Sequence, residues 1–185
     1  MAKLEAELKI TAVGARGDGI AALCDEDDDG DGIPNYLDPA VTTCVGDYWI
    51  GNTGDLAAIA GCTVITGSLT VATSNELTDL SGLSSLTSVD SLSIYSNFAL
   101  TDLDGLSSLT SVDHLDIAGN PLLTNVDGLS SLTSFVNELL ILNNSNLTNL
   151  DGLSSLTTVG QGLSISENPA LCQSFVEAFI NACSV

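Results

Sequence analysis

Positive charge is nearly absent from this sequence of 185 residues. It has 24 Asp and Glu against three Lys and Arg, which gives a formal net charge of -21. The three cations all lie in the first sixteen residues, at Lys3, Lys9 and Arg16. Nucleic acid and anionic membrane surfaces would repel a chain with this charge. We therefore expect no nucleic-acid partner.

Histidine and long apolar runs are also scarce, which bears on catalysis and on membrane insertion. The chain has one His, His114, with no second His or Cys that would complete a transition-metal set and no nearby nucleophile in the repeat pattern. We predict no enzymatic activity and no catalytic residue. No apolar stretch is long enough for a transmembrane helix, and the opening MAKLEAELKI has no signal-peptide core. We therefore do not expect membrane insertion, and export would need a signal that this chain lacks.

The densest acidic run is CDEDDDGDGIPNYLD, residues 24–38, with seven carboxylates in fifteen residues. Since no Lys or Arg follows Arg16, internal ion pairing cannot neutralise this run. From Asp27 onward the spacing D-x-D-x-D-G-I-x-N-x-x-D follows the ligand order of a twelve-residue calcium loop, with Gly at position 6. The other interpretation is a disordered acidic linker. We predict a Ca²⁺ site, and its ligands are Asp27, Asp29, Asp31, Asn35, Asp38 and the carbonyl of Ile33.

The calcium loop also resembles a known family. With Cys24 ahead of it and GIPNYLDP inside it, the segment 24–39 resembles one thrombospondin type 3 calcium repeat. The resemblance implies a secreted or cell-surface protein. The preceding residues, 1–23, differ in charge from everything that follows, and we interpret them as a segment of foreign composition, an artefact of fusion or of start-site choice, or a recruited edge strand.

The rest of the chain repeats itself. Four units of 23 or 24 residues occupy 77–99, 100–122, 123–146 and 147–170, and a degenerate fifth unit precedes them. Each unit has an L-x-[IV] step of period 2, which predicts one short strand per unit. Gly recurs in the arms, where Asp, Ser and Thr also disfavour helix, so we predict extended or tight-turn arms. The strands should stack as a five-strand parallel ladder: Leu69/Val71, Leu92/Ile94, Leu115/Ile117, Leu139/Ile141 and Leu163/Ile165. An internal asparagine ladder should accompany them: Asn97, Asn120, Asn144 and Asn168.

This pattern resembles a leucine-rich repeat and, more closely, the receptor L domain family. The closer match is carried by GCTVITGSLTV at 61–71, the recurring DGLSSLTSV and SENPALC at 166–172. The resemblance covers about 44–183. It implies a mainly β fold, a single-chain right-handed β-solenoid of about five coils with a short C-terminal helical cap. It also implies ligand recognition and no catalysis. We divide the chain into 1–23, the calcium loop 24–39 and the leucine-rich domain 44–183.

Cysteines are confined to the calcium loop and the ends of the repeat array. Cys62 replaces a core Leu of the first unit, where Cys44 arrives, and we predict a Cys44–Cys62 bridge. Cys172 and Cys183 flank QSFVEAFINA, which we predict to be a capping helix closed by a second bridge. This usage indicates an oxidising, extracytoplasmic compartment. Cys24 is left free or paired outside the chain.

Departures from the repeat indicate where a partner could bind. Outward positions of the end strands carry small residues, whereas the middle strands carry bulky, charged or aromatic ones. Drift on a solvated face would also produce this, as would packing of 1–23 over the two outward leucines. We predict a partner-binding patch on the strand face, and its residues are Tyr95, His114, Asp116, Glu138, Leu140 and Leu142.

These observations predict a non-catalytic, calcium-binding recognition or adhesion module at the cell surface or outside the cell, with a protein or glycan partner or with self-association. Two alternatives stay open. One is a structural assembly subunit. The other is an ice- or crystal-binding surface made of hydroxyl rows in register: Thr78, Thr101, Thr124 and Thr148, with Ser85, Ser108, Ser131 and Ser155.

Overall fold

The computed structural model describes residues 42–133, 136–156 and 159–182 of the chain. The segment 1–23, the predicted calcium loop at 24–39 and Cys183 lie outside the described residues. Within the described ranges the fold is mainly β, with one parallel sheet and two short α-helices. The strands are β1 Thr43–Cys44, β2 Tyr48–Ile50, β3 Val64–Ala72, β4 Ser88–Tyr95, β5 Ser111–Ala118, β6 Val136–Leu142 and β7 Val159–Ser166; the helices are α1 Thr53–Ala58 and α2 Gln173–Ala182.

Strand order follows chain order, which confirms the predicted parallel ladder. The sheet runs β1-β3-β4-β5-β6-β7, and β2 also pairs with β3. The register matches equivalent residues of successive units, in two rows: Leu69, Leu92, Leu115, Leu139 and Leu163, then Val71, Ile94, Ile117, Ile141 and Ile165. The register shifts between Val136 and Glu138, so the pairing of β6 with β7 is irregular there. Every repeat unit therefore presents the same faces to the core and to solvent.

The repeat arms form 3-10 turns of three residues, in agreement with the predicted tight turns. The turns span Ser81–Leu83, Asp104–Leu106, Asp127–Leu129 and Asp151–Leu153. The side-chain oxygen of the Asp or Asn two residues before the first residue of each turn caps that turn. The oxygens of Asp79 and Asn125, for example, accept the backbone N–H groups of Ser81 and Asp127 at 2.9 and 3.0 Å. These Asx caps use the local hydrogen bonding that keeps Asp and Asn out of helix interiors.

Glycine in the turns has a packing role that the sequence argument did not identify. A Cβ added to Gly105 would collide with the backbone carbonyl of Leu80 in the preceding unit. The same holds for Gly128 against Leu103 and for Gly152 against Val126. Only glycine allows the backbones of successive turns to come this close. Helix avoidance, which the sequence argument offered for these glycines, is a secondary consequence.

The space between the sheet and the turns is filled by leucine rows. Each unit contributes Leu at spacings of three, and in the second repeat unit Leu100, Leu103, Leu106 and Leu109 have no exposed surface. Full burial of a Leu side chain contributes roughly 1.5–3 kcal/mol, so four per unit provide most of the stabilising energy. Consecutive rows touch only their neighbours, as in other repeat proteins.

The asparagine ladder is present, with all four side chains buried. The Nδ2 atoms of Asn97 and Asn120 donate to the Oδ1 atoms of the next Asn at 3.1 and 3.2 Å. Asn144 donates in the same way to Asn168 at 3.3 Å. Each amide also donates to a strand carbonyl of an earlier unit, for example Asn120 to Ile94 at 2.9 Å. The ladder thus satisfies polar groups that the turn at the end of each strand would leave unpaired.

The residue before each ladder asparagine, and before Ser74 at the equivalent position of the first unit, adopts a left-handed backbone. The φ angles are 57° at Thr73, 55° at Ser96, 65° at Gly119, 58° at Asn143 and 59° at Glu167. This conformation turns the chain at the end of the strand so that the next side chain points inward. Only one of the five positions is glycine, although side chains disfavour this region.

The N-terminal end differs from the prediction in two ways. First, residues 53–58 form α1, because Ala57 and Ala58 replace the Asp-Gly of later arms. The side chain of Asn52 caps this helix by accepting hydrogen bonds from the backbone N–H groups of Gly54 and Asp55. Second, β1 and β2 add an interrupted strand beside β3, which the five-strand ladder lacked. Cys44 and Cys62 form the predicted disulfide at this end, with a Cα–Cα distance of 5.8 Å.

Helix α2 occupies the predicted capping position at the other end of the sheet. Val176 and Phe179 pack against the core, while Ile180 on the same helix remains 40% exposed. Because Cys183 lies outside the described residues, the Cys172–Cys183 bridge stays a prediction. Among the helices of the described ranges, none is long and apolar enough to cross a membrane.

Candidate functional site

The outward face of the sheet is built from alternate residues of each strand. Because successive side chains of a strand point to opposite faces, the core rows of Leu and Ile fix which residues face outward. The outward residues pair across strands in three rows. These are Ser68, Ser91, His114, Glu138 and Gly162; Trp49, Thr70, Ser93, Asp116, Leu140 and Ser164; and Ala72, Tyr95, Ala118, Leu142 and Ser166.

The register brings the six predicted patch residues together on β4, β5 and β6. His114 pairs with Glu138, and Asp116 pairs with Leu140. Tyr95 and Leu142 flank Ala118 from opposite sides. His114 and Glu138 are exposed, whereas the other four side chains are half-buried. The two outward leucines are thus partly accessible within the described residues, and their role in binding remains a prediction.

Trp49 is a residue of this face that the sequence argument missed. Its side chain is 55% exposed, and its ring meets Tyr95 edge-on, with ring centroids 6.0 Å apart and planes at 81°. Since Trp49 lies on β2 and Tyr95 on β4, the pair bridges β3, and Ala72 at an outward position of β3 has no exposed surface. The run Tyr48-Trp49-Ile50, two aromatic residues and a β-branched one, has high strand propensity and was the available signal for an extra strand.

A small depression opens in the middle of the face. It has a volume of about 30 Å³ and lies between β4, β5 and β6. Its lining combines hydroxyl, carboxylate, imidazole and apolar groups: Ser91, Ser93, His114, Leu115, Asp116, Glu138 and Leu140. A volume of this size holds about one water molecule or one small polar group.

Asp116 has a carboxylate oxygen in this depression that makes no hydrogen bond within the described residues. This oxygen, Oδ1, is buried. Burial, and secondarily the charge of Glu138, raises the pKa of the Asp116 carboxyl above its ordinary value of 3.8. Both causes disfavour the carboxylate form. A cation or a hydrogen-bond donor placed here would meet a carboxylate that the protein itself leaves unsatisfied.

The hydroxyl rows of the ice-binding alternative lie in the arms and are largely used internally. The Oγ1 of Thr101 donates to the carbonyl of Thr78 at 3.1 Å, and Thr148 donates to Thr124 at 3.0 Å. Ser108 likewise donates to the carbonyl of Ser84 at 2.7 Å. These hydroxyl protons join successive units and are not available to order water.

A larger concavity, of about 340 Å³, lies between β7 and α2. Its lining is mainly apolar and includes Ile165, Leu171, Val176 and Ile180. It contains none of the six predicted patch residues. The sheet face therefore remains the candidate site.

Metal binding is not apparent in the part of the chain that the structure describes. No group of three or more His, Cys, Asp or Glu side chains there could hold an ion. The predicted calcium ligands, from Asp27 to Asp38, all precede residue 42. The calcium site therefore stays a prediction from sequence.

Comparison with known proteins identifies one family. The model of the receptor L domain matches residues 61–182, about two thirds of the chain. The match includes β3 to β7, which form most of the outward face, and the capping helix α2. None of the curated proteins matches the chain.

Proposed function

We propose, since the chain belongs to the receptor L domain family, that its outward sheet face binds a protein ligand. Receptor L domains are extracellular, non-catalytic modules that bind protein ligands. The residues proposed to make the contact are the predicted patch residues and Trp49. The same proposal includes a location outside the cell or at its surface and a role in recognition or adhesion.

The observation that carries the proposal is the contrast between the middle and the end of one face. Tyr95, Leu140 and Leu142 lie on the middle strands near Asp116, and Trp49 contacts Tyr95 from β2, whereas β7 offers Gly162, Ser164 and Ser166 in the same rows. Accessible aromatic and aliphatic side chains next to a partly buried polar group are typical of energetically important contact sites. Core packing does not require them, because β3 and β7 stack in the same register with small outward residues.

A selection of phage-displayed random peptides against the immobilised protein tests the proposal. We expect wild type to select peptides whose binding falls at least tenfold in the Leu140→Ser, Leu142→Ser double variant. Leu122→Ser is the matched control, since Leu122 is 45% exposed but lies in a loop off the sheet face. Peptide binding that both variants retain equally would refute the site.

Two other occupants of the face are distinguished by separate measurements. Sedimentation of the unliganded protein detects self-association, and a glycan array detects carbohydrate binding. Loss of self-association or of glycan binding in the double variant, with no peptide selected by wild type, would replace the protein ligand with a second copy or a glycan.

The hydroxyl-row alternative receives little support. Thr101, Thr124 and Thr148 each donate their hydroxyl proton to a carbonyl of the preceding unit. A surface that orders water needs those donors free. We expect no thermal hysteresis from the purified protein, and a clear hysteresis gap would revive the ice-binding function.

The calcium site and the solenoid complete the proposal. The parallel strands in sequential order support a right-handed solenoid of about five coils, because parallel crossovers are almost always right-handed.

The ligand spacing from Asp27 to Asp38 supports bound Ca²⁺. Calorimetric titration with Ca²⁺ should detect a site that Asp29→Ala and Asp31→Ala each abolish. Unchanged heats in both variants would reject it.

A further inference from the structure

The depression around Asp116 defines which protein side chain fits the centre of the proposed binding face. The described residues contain no Lys and no Arg, so they offer no ammonium or guanidinium to the depression. Asp116 faces Glu138 and His114 as the titratable groups of the depression, and β4 contributes only Ser91 and Ser93. A positive charge at this site must therefore come from outside the described residues, and the proposed protein ligand can supply it.

The geometry limits the size of that charged group. A space of about 30 Å³ holds an ammonium, which is close to a water molecule in size, whereas the larger planar guanidinium would extend out of the depression. The ammonium has three donors and needs three acceptors around it. The carboxylates of Asp116 and Glu138 and the hydroxyls of Ser91 and Ser93 line the depression and can supply them.

The apolar surroundings suit the rest of a lysine side chain. Leu140 forms one wall of the depression, and the Trp49–Tyr95 pair stands on the other side of Ser93. A four-carbon stem can pack against these groups while its charged end reaches the carboxylates. A bare metal ion fits less well, because His114, Asp116 and Glu138 line the depression but do not form a group that could hold an ion.

From these observations, which rest on the proposed function, we infer that the depression binds the ammonium group of a lysine presented by a basic segment of the protein ligand. Asp116 and Glu138 bind the charge, and Leu140 packs against the stem. The unfavourable burial of Asp116 in the free protein is offset when the lysine binds. Charge complementarity with a chain of net charge -21 also favours a basic partner and speeds its encounter.

The experiment repeats the peptide selection on three proteins: wild type, Asp116→Asn and Asp127→Asn. The last is the matched control, because Asp127 is exposed at a 3-10 turn away from the sheet face and its loss changes net charge by the same amount. We expect lysine to be enriched at one peptide position on wild type and on Asp127→Asn, but not on Asp116→Asn. Thermal melting checks that each variant is folded.

The selected peptide then provides a direct measure of the contact. Replacing its lysine with norleucine should weaken binding to wild type about tenfold or more, and binding to Asp116→Asn about twofold or less. Equal lysine enrichment on all three proteins, or enrichment of arginine in its place, would overturn the inference and leave the proposed function intact. Absence of any peptide that depends on Leu140 and Leu142 would overturn both.

Discussion

At the scale of single residues, Asp116 places binding and stability in opposition. Its folded pKa lies above 3.8, so the folded state holds the proton more tightly than the unfolded state does. The unfolding free energy contributed by this group is therefore highest below pH 3.8 and decreases as pH rises through the raised folded pKa. The other titratable groups that line the depression with it are Glu138 and His114. The residue proposed to bind a cation thus destabilises the free domain at neutral pH.

The first prediction follows from this decrease in the unfolding free energy as the pH rises. Asp116→Asn should be more stable than wild type at pH 7 by up to about 1 kcal/mol, because an amide carries no buried charge. The difference should disappear near pH 3, where the carboxyl is protonated in both states. Urea unfolding at the two pH values measures it. An Asp116→Asn protein that is less stable than wild type at pH 7 would show that the carboxylate is satisfied in the free domain.

A second prediction concerns the left-handed residues at the strand ends. Thr73 is β-branched and has a φ of 57°, a conformation that a side chain of this type strongly disfavours. Thr73→Gly should raise the unfolding free energy by about 0.5–1 kcal/mol, the strain relieved minus the added flexibility of unfolded glycine. Asn143→Gly is the control, since Asn tolerates a φ of 58° and should gain little. Equal effects at both positions would contradict a strain relief specific to Thr73.

At the scale of elements, the 3-10 turns determine how closely the repeat units stack. The Gly128→Ala substitution places a methyl group against the backbone carbonyl of Leu103, which cannot move without separating two units. We expect a loss of at least about 3 kcal/mol by chemical denaturation. Gly82→Ala is the control, because its methyl group meets the flexible side chain of Leu56 and should cost only about 1 kcal/mol. Similar losses in both variants would remove backbone contact as the cause.

The interrupted strand formed by β1 and β2 depends on the disulfide. The bridge closes a loop of 18 residues, and its removal should lower the unfolding free energy by about 3 kcal/mol. Hydrogen exchange should show β1 and β2 losing protection in the Cys44→Ala, Cys62→Ala variant while β5 keeps it. The near-ultraviolet signal of Trp49, the one tryptophan of the chain, should decrease as it leaves Tyr95. Equal loss of protection in β5 would instead indicate a global effect.

At the scale of the whole molecule, the sequence predicted the repeated part well because its units could be aligned with one another. A strand or turn pattern that is ambiguous in one unit becomes clear when it recurs in the others. Leu92 and Ile94 recur in register in every unit, so the ladder, the Asn97 series and the six-residue patch all followed from one alignment. The first unit was harder, since Ala57 and Ala58 changed its arm into α1 and Trp49 lay in a strand with no copy to compare. The depression at Asp116 could not be predicted, because it depends on the depth and orientation of side chains from three strands.

Because the first two full repeat units have equal length, each adds one strand to the sheet at a constant spacing. Units 77–99 and 100–122 both contain 23 residues and pair in identical register from Ser88 to Tyr95. Duplicating one of them would add one strand, and would move the Trp49–Tyr95 pair about 4.8 Å further from the leucines of β6. Every new core contact would copy an existing one. The distance between the two apolar ends of the binding face can therefore evolve by whole-unit gain or loss, independently of the chemistry of either end.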